Sequence, residues 1–131
     1  MKIVAAVARV LLGLSFLVFG LNGFFHFIPG APPPGPATDF FNAIAIESHF
    51  YILIFGVQAI CGLLLLSNQY VPLALVTLAA VLANILTFHI TMAPASIGPA
   101  IFTLVLWAIV CWSVRSEFVT LLSRKPYAGL S

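Results

Sequence analysis

Residues 71–91 read VPLALVTLAAVLANILTFHIT, a run of twenty-one without one charged side chain. At 1.5 Å of rise per residue, a helix of that length covers about 30 Å, the thickness of a bilayer's hydrocarbon core. Pro72 falls in the first turn, where its missing N–H has no intrahelical partner to lose. The stretch predicts a membrane-spanning helix, and three more of the same kind surround it. Phe50 to Leu66 is apolar between His49 and Ser67-Asn68-Gln69, and Val10 to Ile28 is apolar between Arg9 and Pro29. Ile97 to Val114 runs up to Arg115, Ser116 and Glu117. No further stretch is long enough, so the predicted spans are 10–28, 50–66, 71–91 and 97–114.

Composition agrees. Of 131 residues, 63% are hydrophobic and 6% charged, with a mean hydropathy of +1.20. A water-soluble domain carries about 25% charged residues, so this chain cannot cover a water-facing surface and its solvent is lipid. The net charge of +2 is small and dispersed, which excludes nucleic acid as a partner. The length supports a single domain, residues 1–131. Lys2 and Arg9 ahead of an apolar run resemble a signal peptide, but no small-x-small cleavage site follows, and the run is read as a true span.

The basic residues set the orientation. Lys2 and Arg9 precede the first span, and Arg115, Arg124 and Lys125 follow the fourth; residues 29–49 and 92–96 contain neither Lys nor Arg. Both ends are therefore expected in the cytoplasm. The fold class is an all-α integral membrane four-helix bundle, N-in and C-in, with a Pro-rich outer loop and a short interfacial helix between spans one and two. In that loop, Ala31-Pro32-Pro33-Pro34-Gly35-Pro36 is expected to be polyproline-like. Thr38 or Asp39 can cap a short helix with Phe40, Phe41 and Ile44 on one face, lying in the interface or folding over the bundle mouth. Glu117 to Leu122 can continue the fourth helix along the inner surface until Pro126.

Polar side chains inside lipid need a reason. Counting 1.5 Å per residue, Asn22, Gln58, Asn84 and Thr103 all fall roughly 18–21 Å above the cytoplasmic edge. His26 and His89 lie further out, and Glu47 and His49 enter from the outer loop. Two readings of this layer stand side by side: interhelical glue at about 0.6 kcal/mol per group, or a ligand pocket under a lid-forming loop. Candidate ligand-binding residues are Asn22, His26, Gln58, Asn84 and His89. Asn22 and His26 are spaced i, i+4 and would share a stripe, whereas Asn84 and His89 lie about 140° apart on a helical wheel and cannot both face one point. Gly13, Gly20 and Gly23 in the first helix, and Gly56 and Gly62 in the second, provide for close packing.

His26 and His89 come from different helices at similar depth, as a bis-histidine haem requires. However, the phase mismatch and the lack of a C-x-x-C-H or H-E-x-x-H motif disfavour haem or a metal. Cys61 and Cys111 are isolated from one another and read as packing residues. Trp107, Trp112, Tyr51 and Tyr70 are expected to face lipid or the interface. A short echo, Val18-Phe19-Gly20-Leu21-Asn22 against Ile54-Phe55-Gly56-Val57-Gln58, is compatible with equivalent hairpin halves.

Leu11-Leu12-Gly13-Leu14, Phe19-Gly20-Leu21-Asn22-Gly23-Phe24 and His26-Phe27-Ile28-Pro29 together resemble the first helix of the bacterial DoxX family of small integral membrane proteins. Gly62-Leu63-Leu64-Leu65-Leu66, Tyr70-Val71-Pro72-Leu73-Ala74-Leu75, Asn84-Ile85 and Phe88-His89 extend the likeness over nearly the whole chain. The resemblance implies a multi-pass protein of the bacterial cytoplasmic (inner) membrane, linked to redox systems such as a quinone-reducing oxidoreductase subunit. The chain departs from the pattern at Gln58, where the family leads one to expect Glu; a glutamine cannot carry protons or pair a cation. The leading expectation is a membrane subunit or binding protein whose outer-leaflet pocket takes a quinone-like or lipid-like molecule, in contact with membrane lipid and a larger redox complex. The alternative is a non-catalytic accessory subunit with a structural polar layer. No catalytic motif is found, and the cofactor is left unassigned.

Overall fold

The computed structural model describes residues 2–30 and 34–124. Among them are five α-helices, α1 (Lys2–Phe25), α2 (Pro36–Asn42), α3 (Phe50–Leu66), α4 (Val71–Met92) and α5 (Gly98–Ser113), and no strand. A π-helical turn, Ala43–Glu47, follows α2, and 3-10 turns occupy Pro94–Ser96 and Arg115–Phe118. The polyproline segment from Ala31 to Pro33, and Lys125 with Pro126, lie outside the described residues.

α1 packs against α3 and α5, and α4 packs against the same two helices. One core draws on all four: Leu12 and Phe16 from α1, Cys61 and Leu65 from α3, Leu75, Leu78 and Leu82 from α4, Leu106 and Val110 from α5. The opposite faces are also apolar, with Leu14, Ile60, Leu73 and Val105 each 44–60% exposed. An exterior as apolar as its core belongs in hydrocarbon rather than water. α1 and α4, with 24 and 22 residues, are long and apolar enough to cross a membrane; α3 joins them if it is counted with the segment before it. α5 is apolar but shorter, 16 residues, or about 24 Å of helix.

Glycine sets the α1–α3 contact. A Cβ placed on Gly62 would stand 2.5 Å from the Leu17 backbone nitrogen, and one on Gly20 would stand 2.6 Å from the Ala59 nitrogen. These are backbone atoms, so the two helices approach as closely as only glycine permits. Gly56 differs from its expected role: its nearest neighbour would be the Phe24 ring at 3.9 Å, ordinary contact distance. The echo between residues 18–22 and 54–58 therefore does not extend to packing, because Gly20 is pressed against α3 while Gly56 has room.

Several boundaries depart from the expected ones. α1 ends at Phe25 rather than Ile28, because His26 adopts a left-handed conformation with φ 53°. The His26 N–H still donates to the Asn22 carbonyl at 2.8 Å, and the Ile28 N–H donates to Asn22 Oδ1 at 2.7 Å. Asn22 thus caps the helix terminus from within its last turn. Gly35, with φ 97°, occupies the N-cap position of α2, and no side chain caps that helix, so Thr38 and Asp39 sit inside its first turn instead of before it. Beyond α5 the chain does not continue as an α-helix; it tightens into the 3-10 turn and then a run of turns. Trp107 also corrects an expectation. It is half-buried, packs against the core and donates from Nε1 to the Leu75 carbonyl of α4 at 2.9 Å, so it ties α5 to α4. Trp112 is 61% exposed, as an interfacial anchor should be.

Candidate functional site

The sequence places Asn22, Gln58, Asn84 and Thr103 in one layer, but their side chains do not converge. On α3, Gln58 shares the inward stripe of Cys61 and Leu65 at i, i+3, i+7 spacing. On α5, Thr103 shares the stripe of Leu106 and Val110 in the same way. Gln58 and Thr103 are the buried polar residues, 5% and 7% exposed. Asn84 is exposed on the outer face of α4, where its Nδ2 donates to the Ala80 carbonyl at 2.9 Å. The expectation that it joins Asn22 and Gln58 in the interior is not met. The reason is helical phase: Leu75, Leu78 and Leu82 commit the inward face of α4, and residue 84 is turned away from that stripe.

His89 lies on the side Asn84 does not. It is half-buried and follows Leu82 at i+7, extending the inward stripe to the C-terminal end of α4. Its Nδ1 is 3.2 Å from Ser96 Oγ and 3.4 Å from the Ala93 carbonyl, while Ser96 Oγ itself donates to Ala93 at 3.1 Å. The serine hydroxyl can donate to either Ala93 or the ring, and the imidazole tautomer follows from which of the two it takes. Ser96 was not legible as a site residue; its only signal is a position in the tight α4–α5 connection. His26 is exposed beyond the end of α1, so its expected i, i+4 stripe with Asn22 does not form. Asn22 is half-buried, with its side-chain oxygen committed to Ile28.

Gln58 is the exception in this set. Thr103 donates to its own Ala100 carbonyl at 2.9 Å, whereas the Gln58 carboxamide has no hydrogen-bond partner among the described residues. Among these residues no fully sealed side-chain nitrogen or oxygen lacks a partner, so the Gln58 amide keeps some accessible surface. A carboxamide offers two donors and two acceptor lone pairs. Leaving such a group without a partner away from water costs about 1–3 kcal/mol.

Above this level lies the short helix. The axis of the segment Pro36–Glu47 turns by 94° from that of α3, so it lies across the bundle end. Phe40, Phe41 and Phe88 of α4 form a three-ring cluster, with Phe88 5.5 and 5.4 Å from the other two and those two 6.4 Å from each other, and Ala37 is fully buried. Ser48 makes the corner: its extended backbone breaks the π turn, and its Oγ donates to the Ala43 carbonyl at 2.8 Å. Glu47 and His49, expected to enter the polar layer from the loop, are both exposed. Among the described residues, no three His, Cys, Asp or Glu side chains gather in a way that would hold a metal ion. Comparison with protein-family models, with curated proteins and with solved structures finds no match.

Proposed function

We propose that the chain is a four-span membrane protein of DoxX type, with both ends in the cytoplasm of a bacterium. In this reading it is a membrane subunit or binding protein of a redox system, and a quinone-like or lipid-like molecule occupies its outer half beside Gln58. The observation that carries the proposal is the buried Gln58 carboxamide without a protein partner. A quinone carbonyl or an ester carbonyl accepts from such an amide, and the apolar bundle suits a ring and a tail. The His89 imidazole suits a polar group of the same ligand, and α2 covers the approach. Electron transfer to protein would require a partner, since no cofactor-binding motif is present.

The test uses unfolding in detergent with and without a short-chain quinone. A ligand that binds only the folded protein stabilises it by about 2.7 kcal/mol at a hundredfold excess over Kd. Wild type should show that rise and Gln58→Leu should not, while the unliganded variant melts at or above wild type because it loses no protein hydrogen bond. The accessory-subunit reading has its own support: Asn22, Asn84 and Thr103 spend their hydrogen bonds locally. It requires instead that no quinone or lipid changes the melting of wild type.

Orientation is tested separately. Glu47 and Arg124 are exposed and stand at opposite ends of the bundle in this reading. A cysteine replacing Glu47 should react with an impermeant maleimide added to intact cells, and one replacing Arg124 only after lysis. The reverse pattern would invert the orientation and leave the spans as they are.

A further inference from the structure

At the end of the bundle that carries the basic residues, a trough runs between α1 and α5. One part, of about 270 Å³, is bordered by Ala5, Ala6, Arg9, Asn68, Val110 and Ser113. The other, of about 400 Å³, is bordered by Lys2, Ala5, Trp112, Ser113 and Arg115. The two parts share Ala5 and Ser113, whose short side chains leave the space between the helices unfilled.

Three of the chain's five basic residues line this trough, and no Asp or Glu does. Arg9 is the informative one, being half-buried. Its Nη1 donates to the carbonyls of Leu65 and Leu66, capping α3 from across the helix pair. The negative end of the α3 dipole offsets part of its charge. Nε and Nη2 have no partner among the described residues, and no carboxylate pairs with the guanidinium. A cation at the edge of hydrocarbon requires a counter-charge, and at that depth a bilayer offers lipid phosphate. The Arg115 guanidinium lies 4.6 Å from the Trp112 ring centre, as fits a side-chain pair held at the headgroup level.

We infer that this trough binds one anionic phospholipid of the inner leaflet, its phosphate among Lys2, Arg9 and Arg115 and the upper part of an acyl chain in the trough between α1 and α5. Three cations with no carboxylate partner among the described residues favour a headgroup with net negative charge over a zwitterionic one, whose own ammonium would be repelled. The inference rests on the chain lying in a membrane and is independent of the outer pocket at Gln58.

The experiment is native mass spectrometry of the full chain released from nanodiscs made of phosphatidylcholine and phosphatidylglycerol in equal amounts. Wild type should retain one phosphatidylglycerol in preference to phosphatidylcholine. Each exposed cation is worth about fivefold in affinity, so Lys2→Gln and Arg115→Gln should each lower retention by about that factor. Both side chains lie outside the core, so these variants fold whatever Arg9→Gln does. Arg124→Gln removes the same charge from outside the trough and should leave retention unchanged. Equal retention of the two lipids by wild type would overturn the proposal, as would a loss in Arg124→Gln matching that in Arg115→Gln.

Discussion

Gly62→Ala is expected to lower the stability of the folded chain by about 1–3 kcal/mol, although alanine is the better helix former. The added methyl would sit 2.5 Å from Leu17 N, 2.8 Å from the Gly13 carbonyl oxygen and 2.9 Å from Leu17 Cα. All three are backbone atoms, so no rotamer change relieves the overlap and α1 must move away from α3. Gly20→Ala meets the same obstacle at Ala59 N and the Phe55 carbonyl, at 2.6 and 2.9 Å. Gly56→Ala is the internal control. On the same helix as Gly62, its added methyl would meet only the Phe24 ring, at an ordinary 3.9 Å, and should raise stability by up to about 1 kcal/mol through helix propensity. Unfolding by graded addition of a denaturing detergent reads all three. If Gly62→Ala melts with wild type, the close approach of the two helices is not what holds them together.

How much of this was legible depended on which physical signal a residue carries. The long apolar runs and their charged or Pro-marked ends are one-dimensional features, so α3 starts and ends where hydropathy puts it, at Phe50 and Leu66. The upstream boundary of α1 was less visible. Lys2 to Arg9 is helical and contains two cations, and Arg9 is used within the fold, on the α3 terminus, rather than as an edge. The downstream boundary turns on a hydrogen bond from Ile28 to the Asn22 side chain, a contact that the Pro29 signal masks.

Depth counting treats a helix as a line and gives the level of a side chain but not its azimuth. It therefore grouped Asn84 with Gln58, when the Leu75–Leu78–Leu82 stripe already fixed which way α4 faces. The wheel argument separating Asn84 from His89 was the stronger guide, and the structure turns the histidine towards the bundle and the asparagine away. Trp107 escaped for a related reason. An indole N–H can serve either an interface or a buried carbonyl, and only the neighbouring helix decides which.

Phe88→Ala should free the covering helix without dissolving the bundle. Phe88 contacts both Phe40 and Phe41, and those two ring contacts join α2 to the C-terminal end of α4. Each aromatic pair contributes about 0.5–1.5 kcal/mol beyond area burial, so their joint loss weakens docking by about 2 kcal/mol. At a factor of ten per 1.4 kcal/mol, the undocked population rises about thirtyfold. Ala37 reads this out because it is fully buried when α2 is docked. A cysteine replacing Ala37 should react slowly with a water-soluble maleimide in the wild-type background and about thirtyfold faster beside Phe88→Ala. Phe102→Ala, which removes a ring that is 52% exposed on α5, should leave the rate unchanged. If a ligand occupies the space beside Gln58 under α2, adding it should slow labelling in the Phe88→Ala background, since it restores a surface for α2 to rest on. Equal labelling rates with and without Phe88 would mean that α2 is held by something other than its aromatic clasp, and its role as a cover would then have no structural basis.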